Sequence, residues 1–263
     1  HHRNFGAIRP RTAPDGKSLY GAGWPTAWVW RFDPASGRFR IFSSHYVIYE
    51  MHPWKDEIWC TGYWGVKFLR WHPDEPWTFD YDRHYANKTY PGNTSPWGDK
   101  DVSNPRLVCK FRYLKQLNVR RPAGTAITDD GCLWVGAHTP AVEYFKSRFS
   151  GAVSWYDPAT ETIGQISGPF LHHSVRDLCR AGSFHVAVAA SAYISPFEPL
   201  AKDFSPGKFV LIDTRDRTVK VDCSPLNEGL LYAEEGAPGR VVVYGAPGKY
   251  SGDGVRGAFF IYD

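Results

Sequence analysis

Histidine, arginine and tyrosine recur where short apolar runs of this chain begin or end. Ile8-Arg9-Pro10, Ser44-His45-Tyr46, Val119-Arg120-Arg121-Pro122, Leu171-His172-His173-Ser174 and Leu226-Asn227-Glu228 each lead into a strand-like run. Between other runs stand Trp24, Trp64, His138 followed by Glu143 and Tyr144, Tyr193, and Lys249 with Tyr250. Imidazole and phenol groups serve as general bases and acids. A guanidinium neutralises a carboxylate through two parallel hydrogen bonds. Indole and phenol rings offer apolar faces against which a sugar ring can lie. Together these groups suit abstraction of the proton beside a uronate carboxylate. The candidate base is His173 or His45, with Arg121 as carboxylate neutraliser and Tyr144 as proton donor to the leaving oxygen. His138 is a further catalytic candidate. Arg9, Trp24, Trp64, Arg120, His172, Tyr193, Lys249 and Tyr250 are candidates for holding the substrate. By residue type alone the roles can be permuted.

Each of these residues also has a plain structural reading. His172-His173 can be a satisfied pair beside a strand. Arg120-Arg121-Pro122 can be an exposed turn with one guanidinium on an aromatic ring. Most tryptophans between Trp24 and Trp97 are expected to fill space between sheets, and His52, before Pro53-Trp54, is expected in a turn.

Other chemistries are absent or thinly supported. No His-x-x-x-His lies on a helical run and no acidic loop has EF-hand spacing. A divalent cation held by His45, His138, His172 and His173 is the one cofactor the residues leave open. Gly248-Lys249-Tyr250-Ser251-Gly252 lacks the length and following helix of a phosphate loop. No Gly-x-Ser-x-Gly elbow occurs.

The elements that must position these residues are strands. Of 263 residues 43% are apolar and 22% charged, which excludes a disordered chain. Aromatics reach 16%, with 25 Gly and 20 Pro. That composition favours many short strands over helices. No apolar run reaches the length of a membrane-crossing helix. A net charge of +4 from 31 basic and 27 acidic residues, scattered along the chain, does not mark a nucleic-acid binder. The partner expected is an acidic oligo- or polysaccharide, with neither nucleic acid nor membrane.

A repeat organises the strands. Trp28–Asp33, Lys67–His72, Ala152–Asp157, Lys208–Asp213 and Ala258–Asp263 each run apolar into Asp or His, and turn residues follow the first four. Asp accepts bonds from the next amides, and a following Pro pre-sets a type I turn. A second strand precedes each of these, as in Glu57–Gly62 and Cys132–Gly136, and one more apolar strand lies upstream. Four antiparallel strands repeating every roughly 40 to 55 residues are the signature of a β-propeller. The expected fold is all-β, one propeller domain over residues 1–263. Its blades are 5–44, 45–118, 119–171, 172–226 and 227–263, the last incomplete. Residues 78–105 are an insertion in the second. The missing outer strand of the fifth blade is read as part of a ring of six or seven blades, in preference to a short fifth blade. The competing fold is a β-sandwich.

Five cysteines are widely spaced with no Cys-x-x-Cys pair, and the odd count leaves at least one thiol unpaired. Cys60, Cys132 and Cys179 lie in apolar runs as small core residues. Sequons at Asn87 and Asn93, with the aromatic richness, lean towards secretion, and the unpaired thiol leans away. No signal peptide is visible. The opening His1-His2-Arg3 is read as a processed end, a tag remnant or a cut from a longer protein.

Asp129-Asp130-Gly131-Cys132-Leu133-Trp134-Val135-Gly136, continued by Gly151-Ala152-Val153-Ser154-Trp155-Tyr156-Asp157-Pro158, resembles a wide propeller superfamily. It includes gluconolactonase-like and streptogramin-lyase-like proteins and propeller polysaccharide lyases. The resemblance covers the blade scaffold and implies a channel site. Gluconolactonase-like members hold a divalent cation with Glu and amide or acidic partners, for which only Asn227-Glu228 is suited here. The lyases use His, Tyr and Arg around the channel, as gathered above. The leading expectation is a carbohydrate-active, secreted propeller lyase acting by β-elimination on a uronic-acid glycan. The alternatives are a non-catalytic glycan- or protein-binding propeller and a metal-dependent small-molecule hydrolase or lyase.

Overall fold

A computed structural model describes residues 6–24, 27–44, 47–63, 66–79, 104–111, 121–138, 151–171, 173–191, 207–226, 229–246 and 258–263. At 6–9, 24, 110, 121, 138, 229, 231 and 246 it describes the backbone alone. The described residues form nineteen strands and no α-helix. Blade 1 is β1 (Gly6–Thr12), β2 (Leu19–Trp24), β3 (Trp28–Asp33) and β4 (Arg38–Ser43). Blade 2 is β5 (Ile48–Trp54), β6 (Glu57–Gly62), β7 (Lys67–Trp71) and β8 (Arg106–Lys110). Blade 3 is β9 (Arg121–Ile127), β10 (Leu133–His138), β11 (Ala152–Asp157) and β12 (Thr162–Ile166). Blade 4 is β13 (Ser174–Ala181), β14 (His185–Ser191), β15 (Lys208–Asp213) and β16 (Val219–Cys223). Blade 5 has three strands, β17 (Gly229–Ala237), β18 (Arg240–Ala246) and β19 (Ala258–Tyr262). In every sheet consecutive strands pair antiparallel, an up-and-down meander. The chain forms two compact units, His1–Asn118 with blades 1 and 2 and Val119–Asp263 with blades 3 to 5.

Within the first unit, Tyr20, Val29 and Phe42 of blade 1 pack on Ile58, Leu69 and Trp71 of blade 2. Tyr20 meets Trp71 edge-on, ring centres 4.9 Å apart. The Arg31 guanidinium reaches across to the Pro73 carbonyl at 3.1 Å. The buried Asn104 amide donates to the carbonyls of His72, Glu75 and Pro76, fastening that segment to the start of β8.

Within the second unit, Trp134, Val153 and Trp155 of blade 3 meet Val175, Val188, Val210 and Ile212 of blade 4. On blade 4's other face, Ala187, Ala189, Phe209 and Leu211 meet Leu230, Val241, Val243 and Phe260 of blade 5. Polar ties run between the same blades. Arg180 on β13 bridges Asp129 and Glu235, and Arg217 lies 3.5 Å over the Trp155 ring while pairing with Asp157.

The turns after the third strands form as their residues dictate. Asp33 accepts from the Ala35 amide at 3.0 Å, Asp157 from Ala159 at 2.9 Å, and Asp213 from Arg215 at 3.0 Å. Four residues beyond each Asp the backbone is left-handed: Gly37 at φ 65°, Glu161 at 51°, Arg217 at 60°. Two of the three are not glycine, so the sheet pairing on either side holds them there.

In three places the structure departs from the sequence reading. Arg9-Pro10 and Arg121-Pro122 lie inside first strands, not in the connections before them, and His52-Pro53 lies inside β5, not in a turn. The physical reason is common to all three. Each first strand is a sheet edge, where a residue without an N–H is tolerated. Each also carries a β-bulge or register shift near its beginning. The tryptophans also divide: Trp59 and Trp71 are buried as expected, but Trp28 is exposed.

All five cysteines are unpaired; Cys60, Cys109 and Cys132 are buried, Cys179 is half-buried and Cys223 exposed. Burial pushes the Cys132 and Cys179 thiols up to about 12. Iodoacetamide at mild alkaline pH is therefore expected to label Cys223 first in the folded chain. The other four should react only after unfolding, as read by peptide mass. Asp213 gives a second expectation. The Arg215 side chain, mainly through its hydrogen bond, holds this carboxyl well below the usual range against the cost of burial. A depressed carboxylate stabilises the fold at pH above its unfolded value of about 3.9 and loses that contribution as pH falls. The gap in urea midpoint between the wild type and Asp213→Asn should hold from neutral pH to about 5 and shrink below about 4.

Candidate functional site

Each blade has a turn end, where the Asp turns lie, and an opposite end, where first strands begin and second strands finish. The latter is called the loop end here. Among the described candidates, Trp24, Arg121, His138 and His173 lie at the loop end of their blades. In the second unit this end is built by β9, β10, β11, β13 and β14. Arg121 opens β9 and His138 closes β10, and the register sets them directly opposite each other. The next pairs inward are Pro122 with Ala137 and Ala137 with Ala152.

His173 lies immediately before β13 and is drawn onto the same end of blade 3 by its backbone. The Gly151 amide donates to the His173 carbonyl at 2.6 Å and to the Phe170 carbonyl at 3.2 Å. A Cβ on Gly151 would fall 2.7 Å from the His173 oxygen and from the Val175 nitrogen, and 3.2 Å from the Ala137 oxygen. Only glycine allows the chain entering β11 to pass between the end of β10 and the start of β13. The close approach therefore brings the backbone at the end of β10 and the backbone of His173 against the same glycine.

The His173 side chain is buried at 6% exposure. Its Nδ1 lies 3.0 Å from the Leu171 carbonyl, which can only accept, so an N–H at Nδ1 donates there. Next to it, Ser174 opens β13 opposite Ser191, the last residue of β14. Ser174 Oγ is buried with no hydrogen-bond partner among the described residues.

Sequence reasoning missed Arg176. It is the extra residue of the bulge in β13, between the pairs Val175–Ala190 and Asp177–Ala189, and it is half-exposed. Asp177, just beyond, is buried and takes the Ala233 amide of blade 5 at 3.4 Å. The signal was present in Ser174-Val175-Arg176-Asp177, a strand opening with polar residues where strict alternation would place apolar ones.

Arg9, within the bulged part of β1, and Trp24, closing β2 opposite Gly6, belong to the first unit. His45, Trp64, Arg120, Tyr144, His172, Tyr193, Lys249 and Tyr250 lie outside the described residues. Among the described residues no three His, Cys, Asp or Glu side chains are grouped to hold a metal ion. Register thus pairs Arg121 with His138 along the backbone at this end, and His173, just before β13, holds its Nδ1 against the Leu171 carbonyl.

No family model matches the sequence, and no curated protein matches it. Solved structures do. The chain is similar to the protein described as TolB from Agrobacterium tumefaciens, at TM-score 0.53 and 10% identity, over 97% of this chain and 77% of that one. It is also similar to the hydrazine synthase of Kuenenia stuttgartiensis, at 0.46 and 12%, over 91% and 76%. A third is the β-propeller domain of Cps50 (Swd1) from Myceliophteria thermophila, at 0.43 and 13%, over 92% and 80%. With the five meander sheets, the TolB likeness shows the fold: the chain is a β-propeller. At such identity the likeness goes no further than fold.

The glycine at the crossing gives a test. Gly151→Ala should cost about 1–3 kcal/mol of stability, since backbone on both sides must move. Gly168→Ala, with nothing within 4 Å of its added Cβ, should lie within about 0.5 kcal/mol of wild type. Urea unfolding of the two variants measures the difference.

Proposed function

We propose that the loop end of blades 3 and 4 binds an acidic glycan and cleaves it by β-elimination. The observation that carries this reading is the register pair Arg121–His138, with His173 brought beside it by the Gly151 crossing. A uronate carboxylate at Arg121 has its charge neutralised, which makes the adjacent C5 proton removable. The imidazole of His138 takes that proton. The C5–H electron pair becomes the C4=C5 double bond and the C4–O bond breaks. The leaving oxygen takes a proton from a donor, a role for which Tyr144 is the candidate. Nothing is oxidised or reduced. The burial of His173 and the bond from its Nδ1 suit it to holding this end of the site in shape, so the base role passes to His138.

The same burial favours a second reading, a propeller that binds an acidic glycan without cleaving it. One experiment separates the two. The purified chain is incubated with a panel of uronic-acid polysaccharides while the ultraviolet absorbance of unsaturated uronate is followed. The lyase reading expects a rise on at least one substrate. Arg121→Ala and His138→Ala should each slow it by about 100- to 10,000-fold, with the β circular dichroism unchanged. A folded chain that gives no rise but binds a glycan, with affinity lost in Arg121→Ala, supports the binding reading. Neither a rise nor binding overturns both.

A further inference from the structure

Five arginines of the second unit have described side chains, and four of them pair with carboxylates at the turn end. Arg180 meets Asp129 and Glu235, Arg215 meets Asp213, Arg217 meets Asp157 and Arg240 meets Asp263. Arg176 is the exception. It stands in the bulge near the loop end of β13, half-exposed, with no anionic partner among the described residues. The carboxylate of Asp177, next along the strand, takes the amides of Leu178 at 3.0 Å and Ala233 at 3.4 Å.

The residues beside Arg176 are donors as well. Ser174, two positions before it, is buried, and its Oγ has no hydrogen-bond partner among the described residues. Register sets the buried Ser191 directly opposite Ser174, and the Cβ atoms of such a pair stand about 5 Å apart. Burying a hydroxyl with no partner costs stability, and a ligand oxygen at that spot removes the cost. A guanidinium beside two hydroxyls is a donor set for an oxyanion, because all three can donate to one carboxylate or sulfate.

The backbone puts this set close to Arg121. A Cβ on Gly124 of β9 would fall 2.4 Å from the Leu178 nitrogen and 2.5 Å from Asp177 Oδ1, so the first strands of blades 3 and 4 touch there. Arg121 lies three residues before that contact on β9, and Arg176 lies just before it on β13. At about 3.3 Å per strand residue, both backbones stand within about 10 Å of the contact. Two arginines so placed match two anionic groups carried close together on one ligand.

On the reading of this loop end as a glycan site, we infer that Arg176, with the Ser174 and Ser191 hydroxyls, is a second anion subsite. The ligand it selects bears anionic groups, carboxylate or sulfate, on neighbouring sugars. Arg121 takes one group on blade 3 and Arg176 takes the next on blade 4. A glycan whose charged sugars alternate with uncharged ones fills only one of the two.

Isothermal titration with three probes tests this, every chain carrying His138→Ala so that turnover does not enter. Polygalacturonate has a carboxylate on each sugar, heparin alternates uronate with sulfated glucosamine, and hyaluronan alternates uronate with an uncharged sugar. The parent chain should bind polygalacturonate, heparin or both about tenfold more tightly than hyaluronan, and the choice between the two tells carboxylate from sulfate. Arg176→Gln should lose about tenfold on the preferred glycan and leave hyaluronan unchanged, and Arg176→Lys should lose less. Ser174→Ala with Ser191→Ala should weaken the same glycan by a smaller factor. Circular dichroism checks folding. No preference over hyaluronan overturns the inference, as does an Arg176→Gln loss that is equal on all three probes. Arg121→Ala keeps the two readings apart. If it weakens every probe while Arg176→Gln weakens none, the glycan site stands and the second subsite falls. If the parent binds none of the three, both fall.

Discussion

A four-stranded sheet with apolar side chains on both faces cannot bury both by itself. It must lie between two like sheets, and this requirement governs the molecule. Blade 4 is the clearest case. Val188, Val210 and Ile212 go one way into blade 3, while Ala187, Ala189, Phe209 and Leu211 go the other way into blade 5. The strands are accordingly apolar with no alternation: β14 and β15 are buried at all but their first residues. The cross-blade ties follow from the stacking, since Arg180 and Arg217 can span to neighbours only because neighbouring blades are held close.

The loop end inherits its geometry from the same packing. First strands are edges, so they accept Pro10, Pro53 and Pro122 and bulge near their beginnings. A bulge turns one residue out of the pleat, and in β13 that residue is Arg176. The Gly151 crossing brings a carbonyl of blade 3 and the backbone before β13 within van der Waals range of one α-carbon. The loop end of blades 3 and 4 thus rests on backbone that the packed blades hold in place.

Much of the fold was legible in the residues. Asp33, Asp157 and Asp213 mark the ends of third strands because a carboxylate capping the next amides is a local interaction, complete within a few residues. Blade 2 was readable through His72-Pro73 although it lacks that Asp, and there Asn104, from beyond the insertion, fastens the turn instead. The placement of Arg9 and Arg121 was not legible. Proline reads as a connection, and only the position of the strand at the sheet edge makes it a strand residue. Arg176 escaped because a bulge is a property of a pair of strands.

The sequence by itself determined that the chain is all-β, where its strands turn, and that its histidines and arginines gather at strand beginnings. These depend on side chains acting on nearby backbone. Only the tertiary structure decided which of those residues meet. Register set Arg121 opposite His138, and the crossing at Gly151 holds the backbone of His173 against the chain entering β11. It also decided which apolar faces are covered and which stand open, because a sheet face is buried or exposed by what lies against it.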